Sequence, residues 1–361
     1  MRILQIINRC SVANGAAMVI QNLMPTLIAS GHQVDVLALV DVTPSCADRF
    51  IKIGCGYSIL MKENKSLYSP SLFLKLARIM MKYDVVHAHL FPTFYWVALV
   101  KIVCGYKGKL VFTEHSTQNN RQKALFRGIE RFIYRRYDSI AAISEAVAFN
   151  LKNHLKRDFD IIVVDNGIDI KAFESQYAIS KDELELPANS VLLTQVARFG
   201  PEKDQMTVLK ALKLLPESYY VVFVGGGSLI EQHRDMAVKL GVLNRVRFLG
   251  IRNDVAAIIK ASDIVIISSH FEGFGLTAIE GMAAGKPVIA SDVPGLREVV
   301  KGAGILFKPH NAISLADSVR KLITDRKLYE DVVECCHNRA LDYSSEKMAR
   351  KYESIYLTGK I

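Results

Sequence analysis

Two carboxylates, Glu272 and Glu280, stand with seven residues between them around a glycine-rich turn, a spacing that lets them hold different parts of one polar ligand. The apolar run that precedes them, Asp263 to Ile267, predicts a strand buried on both faces. A polar turn from Ser269 to Gly275 follows, and Leu276 to Ala284 predicts a helix stopped by Gly285 and Pro287. Gly273 and Gly275 let the backbone approach a ligand closely. The N–H groups from Phe274 to Thr277, at the start of the helix, lack intrahelical partners and suit an anion. Arg198 and Lys203, beyond the apolar run Val191 to Val196, add two cations able to bind phosphate oxygens. A Gly-x-Gly turn with two glutamates is by itself as readily a solvated connection. Joined to the two cations, it points to a diphosphate with a polyol attached.

Taken in order, Asp165-Asn-Gly-Ile-Asp169, Ala197-Arg-x4-Lys203 and Glu272-Gly-Phe-Gly-Leu276 with Glu280 beyond resemble the retaining nucleotide-sugar glycosyltransferases of the GT-B type (glycosyl transferases group 1 / family 4). The resemblance covers nearly the whole chain. It implies an α/β protein of two Rossmann-like doubly wound domains facing across a cleft. It also implies retaining transfer of a hexose-type sugar from a nucleotide diphosphate sugar, with a UDP-sugar slightly favoured, to an acceptor. The basic charge of the chain suits a lipid-linked oligosaccharide acceptor in surface polysaccharide or glycolipid synthesis, with a soluble sugar or small metabolite as the alternative. By the same resemblance Glu272 contacts the donor sugar, Glu280 the ribose and His115 the sugar near the reaction centre. Arg198 and Lys203 face the diphosphate, Gly250 and Ile251 line the base pocket, and Gly273, Phe274, Gly275, Leu276 and Thr277 form the donor-binding turn. Gly15 presents a backbone N–H to phosphate. Here the chain departs from the family, where a Gly-Gly pair and then an acidic or amide residue are common. Asn14 replaces the first glycine, and can keep the turn by adopting a left-handed conformation, whereas Ala17 lacks the polar side chain.

No metal-ligand set is evident, so transfer is expected to be metal-independent and to need no cofactor beyond the co-substrate. His87 and His89 lack further ligands near them and read as structural or acceptor-loop residues, and the Asp158-Phe-Asp160 pair precedes a strand at a domain edge. No Gly-x-Gly-x-x-Gly follows the first strand of either domain, which argues against a nicotinamide. Two other enzyme readings, a nucleotide-sugar epimerase and a phosphorylase with lysine-bound pyridoxal phosphate, use similar scaffolds. A noncatalytic nucleotide-sugar sensor or glycosylation-complex subunit would suit the changes at Asn14 and Ala17, but Arg198, Lys203, Glu272 and Glu280 argue for an enzyme.

The elements that must position these residues alternate along 361 residues. Strands are predicted at Ile3 to Ile7, Val34 to Val40, Asp84 to His87, Leu110 to Thr113, Ile140 to Ile143 and Ile161 to Val164, then at Val191 to Val196, Tyr220 to Val224, Val246 to Leu249, Ile264 to Ile267 and Val288 to Ala290. Helical periodicity fills the gaps, so two parallel sheets covered by helices are expected. We place an acceptor-binding domain at residues 1–168 and a donor-binding domain at 169–343, with a terminal helix, 344–361, packing back on the first domain as the resemblance implies.

Half of the residues are hydrophobic, no apolar run reaches 18 residues, and the first residues read as a strand rather than a signal peptide. A net charge of +10 favours polyanionic neighbours, and no nucleic-acid motif accompanies it. The helical stretch Arg121 to Tyr137 carries Leu125, Ile129, Phe132 and Ile133 with arginines mostly elsewhere on the wheel. It can lie on an anionic membrane surface or pack on the sheet with a solvated basic face. Six cysteines without a regular framework suit a reducing cytoplasm, with Cys335 and Cys336 buried as small apolar residues, so the protein is expected to be cytoplasmic or peripheral on the inner face of the membrane.

Overall fold

The structure is a computed structural model and describes residues 1–11, 14–40, 42–43, 45–62, 66–116, 126–156 and 159–361. The chain divides into two compact units, one made of Met1–Gly167 with Ser345–Ile361 and the other of Ile168–Ser344.

The first unit is built on a parallel sheet of β1 (Arg2–Arg9), β2 (Gln33–Val40), β3 (Gly56–Met61), β4 (Val85–His89), β5 (Lys109–Glu114), β6 (Ser139–Ala142) and β7 (Ile161–Val163), in the order β3-β2-β1-β4-β5-β6-β7. The order reverses beside β1, as in a doubly wound fold, and helices cover both faces of such a sheet. Central strands are apolar along nearly their whole length because neither face meets water, and Ile3, Ile6, Val86 and Phe112 are fully buried. Sequence patterning does not predict β3: it is an edge strand, and Gly56 and Ser58 interrupt its apolar run.

Asn14 does not take a left-handed conformation. It is extended (φ −94°, ψ 114°) and caps the helix Gly15–Ala29, its side-chain oxygen accepting from the Ala16 N–H at 2.9 Å. A glycine could not make that bond, so the departure from the family replaces a flexible turn with a capped one and occupies one of the N–H groups at the helix start. Ala17 is buried in the core of the unit.

The helix Ser345–Thr358 closes the first unit by packing against Gly15–Ala29. Its Tyr352 and Tyr356 are buried, and their hydroxyls enter the polar network under the ends of β1, β4 and β5.

One of the two readings of the basic stretch and two readings of the cysteines change. Residues 121–125 of the basic stretch lie outside the described residues, as does Asp158. In the remainder, the helix Arg127–Tyr134 turns Ile133 inward but leaves Ile129 and Phe132 exposed, so these two do not pack on the sheet. Two of its arginines are used internally: Arg127 donates to the His154 carbonyl at 2.8 Å, and Arg131 to the Leu155 carbonyl at 2.6 Å, satisfying the end of the helix Glu145–Leu155. Cys10 and Cys46 form a disulfide with Cα atoms 5.8 Å apart, against the expectation of unpaired thiols, because the topology brings the end of β1 beside the start of the helix Ala47–Ile53. Cys336 is buried as expected, but Cys335 is exposed, since adjacent helical positions point to different faces.

The second unit repeats the architecture with β8 (Val191–Val196), β9 (Tyr219–Val224), β10 (Val246–Phe248), β11 (Ile264–Ile267), β12 (Val288–Ser291) and β13 (Ile305–Phe307), in the order β10-β9-β8-β11-β12-β13. The three-residue strand β13 is too short for a pattern to announce it. The topological switch falls between β8 and β11, the two strands that carry Arg198, Lys203 and Glu272 in the loops beyond them. Among the described residues no helix is long and apolar enough to cross a membrane.

Candidate active site

The loop after β8 is pinned to the loop after β11 from beneath. Gln195, buried in β8, donates to the Lys203 carbonyl at 3.0 Å and to the Ser268 hydroxyl at 3.0 Å, and Ser268 donates to the same carbonyl at 2.9 Å. These contacts fix the Lys203 backbone, and its ammonium forms an ion pair with Glu272. Ser269 donates to the same Glu272 oxygen at 2.9 Å. The cation and the carboxylate therefore meet in one half-buried place, where a charge-assisted hydrogen bond is stronger than at the open surface. The sequence signal for Ser269 is a serine three residues before a turn carboxylate.

Arg198 lies differently. Its guanidinium is 65% exposed and donates to Glu202 at 2.5 Å. That carboxylate sits below its ordinary range because backbone and Arg198 hydrogen bonds outweigh the desolvation that opposes them. Arg198 thus stands at the same strand end as Lys203 but does not share its carboxylate.

The turn after Glu272 is shaped by glycine. Gly275 has φ +95° and precedes the helix Leu276–Ala283, which has no side-chain cap, so its first N–H groups are unclaimed by a capping side chain. Gly295, at φ +86°, lies so close beneath the turn that a β-carbon would meet the Glu272 carbonyl oxygen. Phe274 has a buried side chain. Its ring is buried edge-on to Tyr343 at 5.4 Å, so only its backbone can serve a donor. The Thr277 hydroxyl is turned to the Val196 carbonyl at 3.4 Å. Gly250 has φ +65° and its carbonyl accepts from the Gly225 N–H at 2.8 Å, leaving the Ile251 side chain exposed beside it.

Glu280 is half-buried and has no hydrogen-bonding or ion-pairing side-chain partner among the described residues. Burial pushes its carboxyl up to about 7. The folded state therefore holds this proton more tightly than the unfolded chain, and the contribution of Glu280 to stability is fully present below the ordinary carboxylate value and lost as pH rises through about 7. Glu280→Gln is expected to be no more stable than the native chain at pH 4 but to gain melting temperature relative to it by pH 8. A difference in melting temperature that is the same at both pH values would show that Glu280 is not held protonated.

His115 belongs to the first unit. Its Nε2 lies 2.9 Å from His89 Nδ1, and His89 Nε2 lies 2.8 Å from Gln5 Oε1. Gln5 in turn donates its amide to the Tyr356 hydroxyl at 3.0 Å. That chain assigns the tautomers: His89 donates to Gln5 and accepts from His115 Nε2–H, leaving His115 Nδ1 as the bare lone pair. Burial holds His115 down to about 3, and desolvation with neighbouring histidines holds His87 and His89 well below their ordinary values. His87 lies between Tyr356 at 2.7 Å and Thr113 at 2.7 Å, so the two strand histidines are structural. His115 is thus a neutral hydrogen-bonding group, and His89 is the residue that orients it.

Residues 13–172 match the model of Glycosyltransferase Family 4, and residues 177–336 match that of Glycosyl transferases group 1. Among curated proteins, the chain is 27% identical over 328 residues to an Escherichia coli UDP-Gal:alpha-D-GlcNAc-diphosphoundecaprenol alpha-1,3-galactosyltransferase, covering 85% of this chain and 83% of that one. It is 27% identical over 300 residues to the N-acetyl-alpha-D-glucosaminyl L-malate synthase of Bacillus anthracis, covering 80% and 79%. Among solved structures, Anabaena HepE in complex with UDP and glucose superposes with a TM-score of 0.88 at 21% identity, over 99% of this chain and 100% of that one. Two parallel-sheet units with β8 and β11 at a switch point, family matches to both halves and this superposition agree, and the chain belongs to the GT-B glycosyltransferases.

Proposed function

We propose that this enzyme transfers a hexose from a UDP-sugar to a sugar or lipid-linked acceptor, with retention of anomeric configuration and without a metal ion in the transfer step. The observation that carries the reading is the joining of Lys203, Ser269 and Glu272 at the strand ends, just ahead of an uncapped helix start. Bond cleavage puts negative charge on the leaving diphosphate while positive character develops at the anomeric carbon. Counter-charge placed in advance where that charge appears is usually the largest catalytic contribution. Lys203, Arg198 and the N–H groups from Phe274 to Thr277 supply it in this reading, while Glu272 holds hydroxyls of the sugar and Glu280 those of the ribose. The acceptor oxygen forms its bond on the face the diphosphate leaves, and its proton passes to a phosphate oxygen of the leaving group. Glu272, already paired with Lys203, is a positioning group and not the nucleophile; a covalent glycosyl adduct trapped on it would overturn the front-face route. The choice of UDP is supported by the E. coli relative, whose donor is UDP-Gal, and by HepE, whose structure contains UDP.

A thermal-shift screen against UDP-, GDP-, ADP- and dTDP-sugars tests the donor. The melting temperature is expected to rise with the UDP-sugar, because a ligand that binds only the folded state stabilises it by mass action. The rise should persist in EDTA and disappear in Arg198→Ala and Glu280→Ala. A shift with another base alone would overturn the choice of UDP, and no shift with any nucleotide would overturn the donor site.

A further inference from the structure

We propose that Asp204, His270 and His310 form a binding site for one divalent transition-metal ion of the imidazole-preferring class that includes Zn2+, Co2+ and Ni2+. One ligand atom from each lies within 4.8 Å of the others. His270 Nδ1 is 3.5 Å and His310 Nδ1 is 3.8 Å from the same oxygen, Asp204 Oδ2. Both distances are too long for a hydrogen bond, but they approach the separation of about 3.3 Å between ligand atoms arranged tetrahedrally around zinc. The two imidazole rings stack with centroids 4.0 Å apart, and both present Nδ1 to Asp204 Oδ2. His270 Nδ1 is shielded from water and has no hydrogen-bond partner among the described residues. An orphaned buried nitrogen aimed at a carboxylate and a second imidazole is accounted for by an ion among the three.

The residues are held for this task by different means. Asp204 caps the helix Gln205–Leu214, accepting from the Thr207 N–H at 3.2 Å and the Thr207 hydroxyl at 2.7 Å. Those bonds orient the carboxylate and leave Oδ2 with capacity toward the histidines. The His270 N–H donates to the Glu202 carbonyl at 2.8 Å, tying its loop to that of Asp204. His310 adopts φ +59°, a conformation unfavourable to a residue with a β-carbon, and its exposed ring leaves the fourth coordination position open to water. The three ligands come from the loops after β8, β11 and β13, so an ion joins three strand ends. Lys203 and Glu272 lie in two of these loops, yet neither is a ligand. The ion is a clamp on the loops and takes no part in the transfer.

Isothermal titration of the full-length chain, freed of any affinity tag, stripped with EDTA and desalted, tests the site. Zn2+ is expected to bind saturably at one ion per chain and raise the melting temperature, while Co2+ gives the intense visible absorption of a four-coordinate ion and Mg2+ does neither. His270→Gln and His310→Gln should each weaken Zn2+ binding at least tenfold while melting like the native chain in EDTA. Asp204→Asn, which keeps the helix cap, should do the same. Saturable binding unchanged in these variants, or none with Zn2+, Co2+ or Ni2+, overturns the site. The UDP-sugar shift in EDTA is read separately, so failure of the metal site and failure of the donor reading are distinguishable.

Discussion

Lys203→Ala is expected to lower nucleotide-sugar turnover by about 10²–10³-fold, the usual cost of deleting one preorganised donor to a developing negative charge, equivalent to about 2.7–4 kcal/mol. Its backbone is fixed by Gln195 and Ser268 and its ammonium by Glu272, so little reorganisation remains when a diphosphate arrives. The substitution also leaves the half-buried Glu272 without its cation, which lowers stability as well as rate. A double variant separates the two effects. Lys203→Ala with Glu272→Gln should recover melting temperature, because no unpaired carboxylate remains, but not turnover. Arg198→Ala should leave melting temperature nearly unchanged in the free enzyme, since its pair with Glu202 is exposed to solvent on the arginine side. Turnover of Lys203→Ala within threefold of the native enzyme would remove Lys203 from the diphosphate site.

Gly295→Ala is expected to reduce turnover by about 10²-fold through a residue that touches no ligand. A β-carbon there would strike the Glu272 carbonyl oxygen and lie 3.1 Å from the Glu272 carbonyl carbon and 3.2 Å from that of Gly273. The backbone at Gly295 also has a positive φ of 86°, unfavourable to alanine by about 1–2 kcal/mol. Relief requires the turn from Glu272 to Gly275 to move, and with it a carboxylate whose placement relative to Lys203 is the basis of the site. The variant should remain folded by circular dichroism, with a lower melting temperature and a weakened shift on adding UDP-sugar. Native turnover would mean that the turn accommodates the methyl group without moving Glu272.

The fold was legible where burial imposes a pattern. Strands such as β1, β8 and β11 are covered on both faces and read as apolar runs, whereas the edge strands β3 and β13 did not, one being interrupted by Gly56 and Ser58 and the other three residues long. The basic stretch left two readings open because a helical wheel records which side chains share a face but not what lies opposite. Arg127 and Arg131 reach carbonyls at the end of a neighbouring helix, and exposed Ile129 and Phe132 occupy the outward side.

By itself the sequence determined the residue types that chemistry needs and their order: two cations after one strand, two glutamates and two glycines after another, and the alternation that predicts two parallel sheets. Those features are local, set by residues within a few positions of each other. The tertiary structure alone decided which groups meet. It joined Lys203 to Glu272 across 69 positions while leaving Arg198 with Glu202, and it oriented His115 through His89. It also paired Cys10 with Cys46 and gathered Asp204, His270 and His310 at three strand ends. Parallel sheets bring together loops distant in the chain, and no pattern along the sequence encodes the distance between side chains that such a sheet sets side by side.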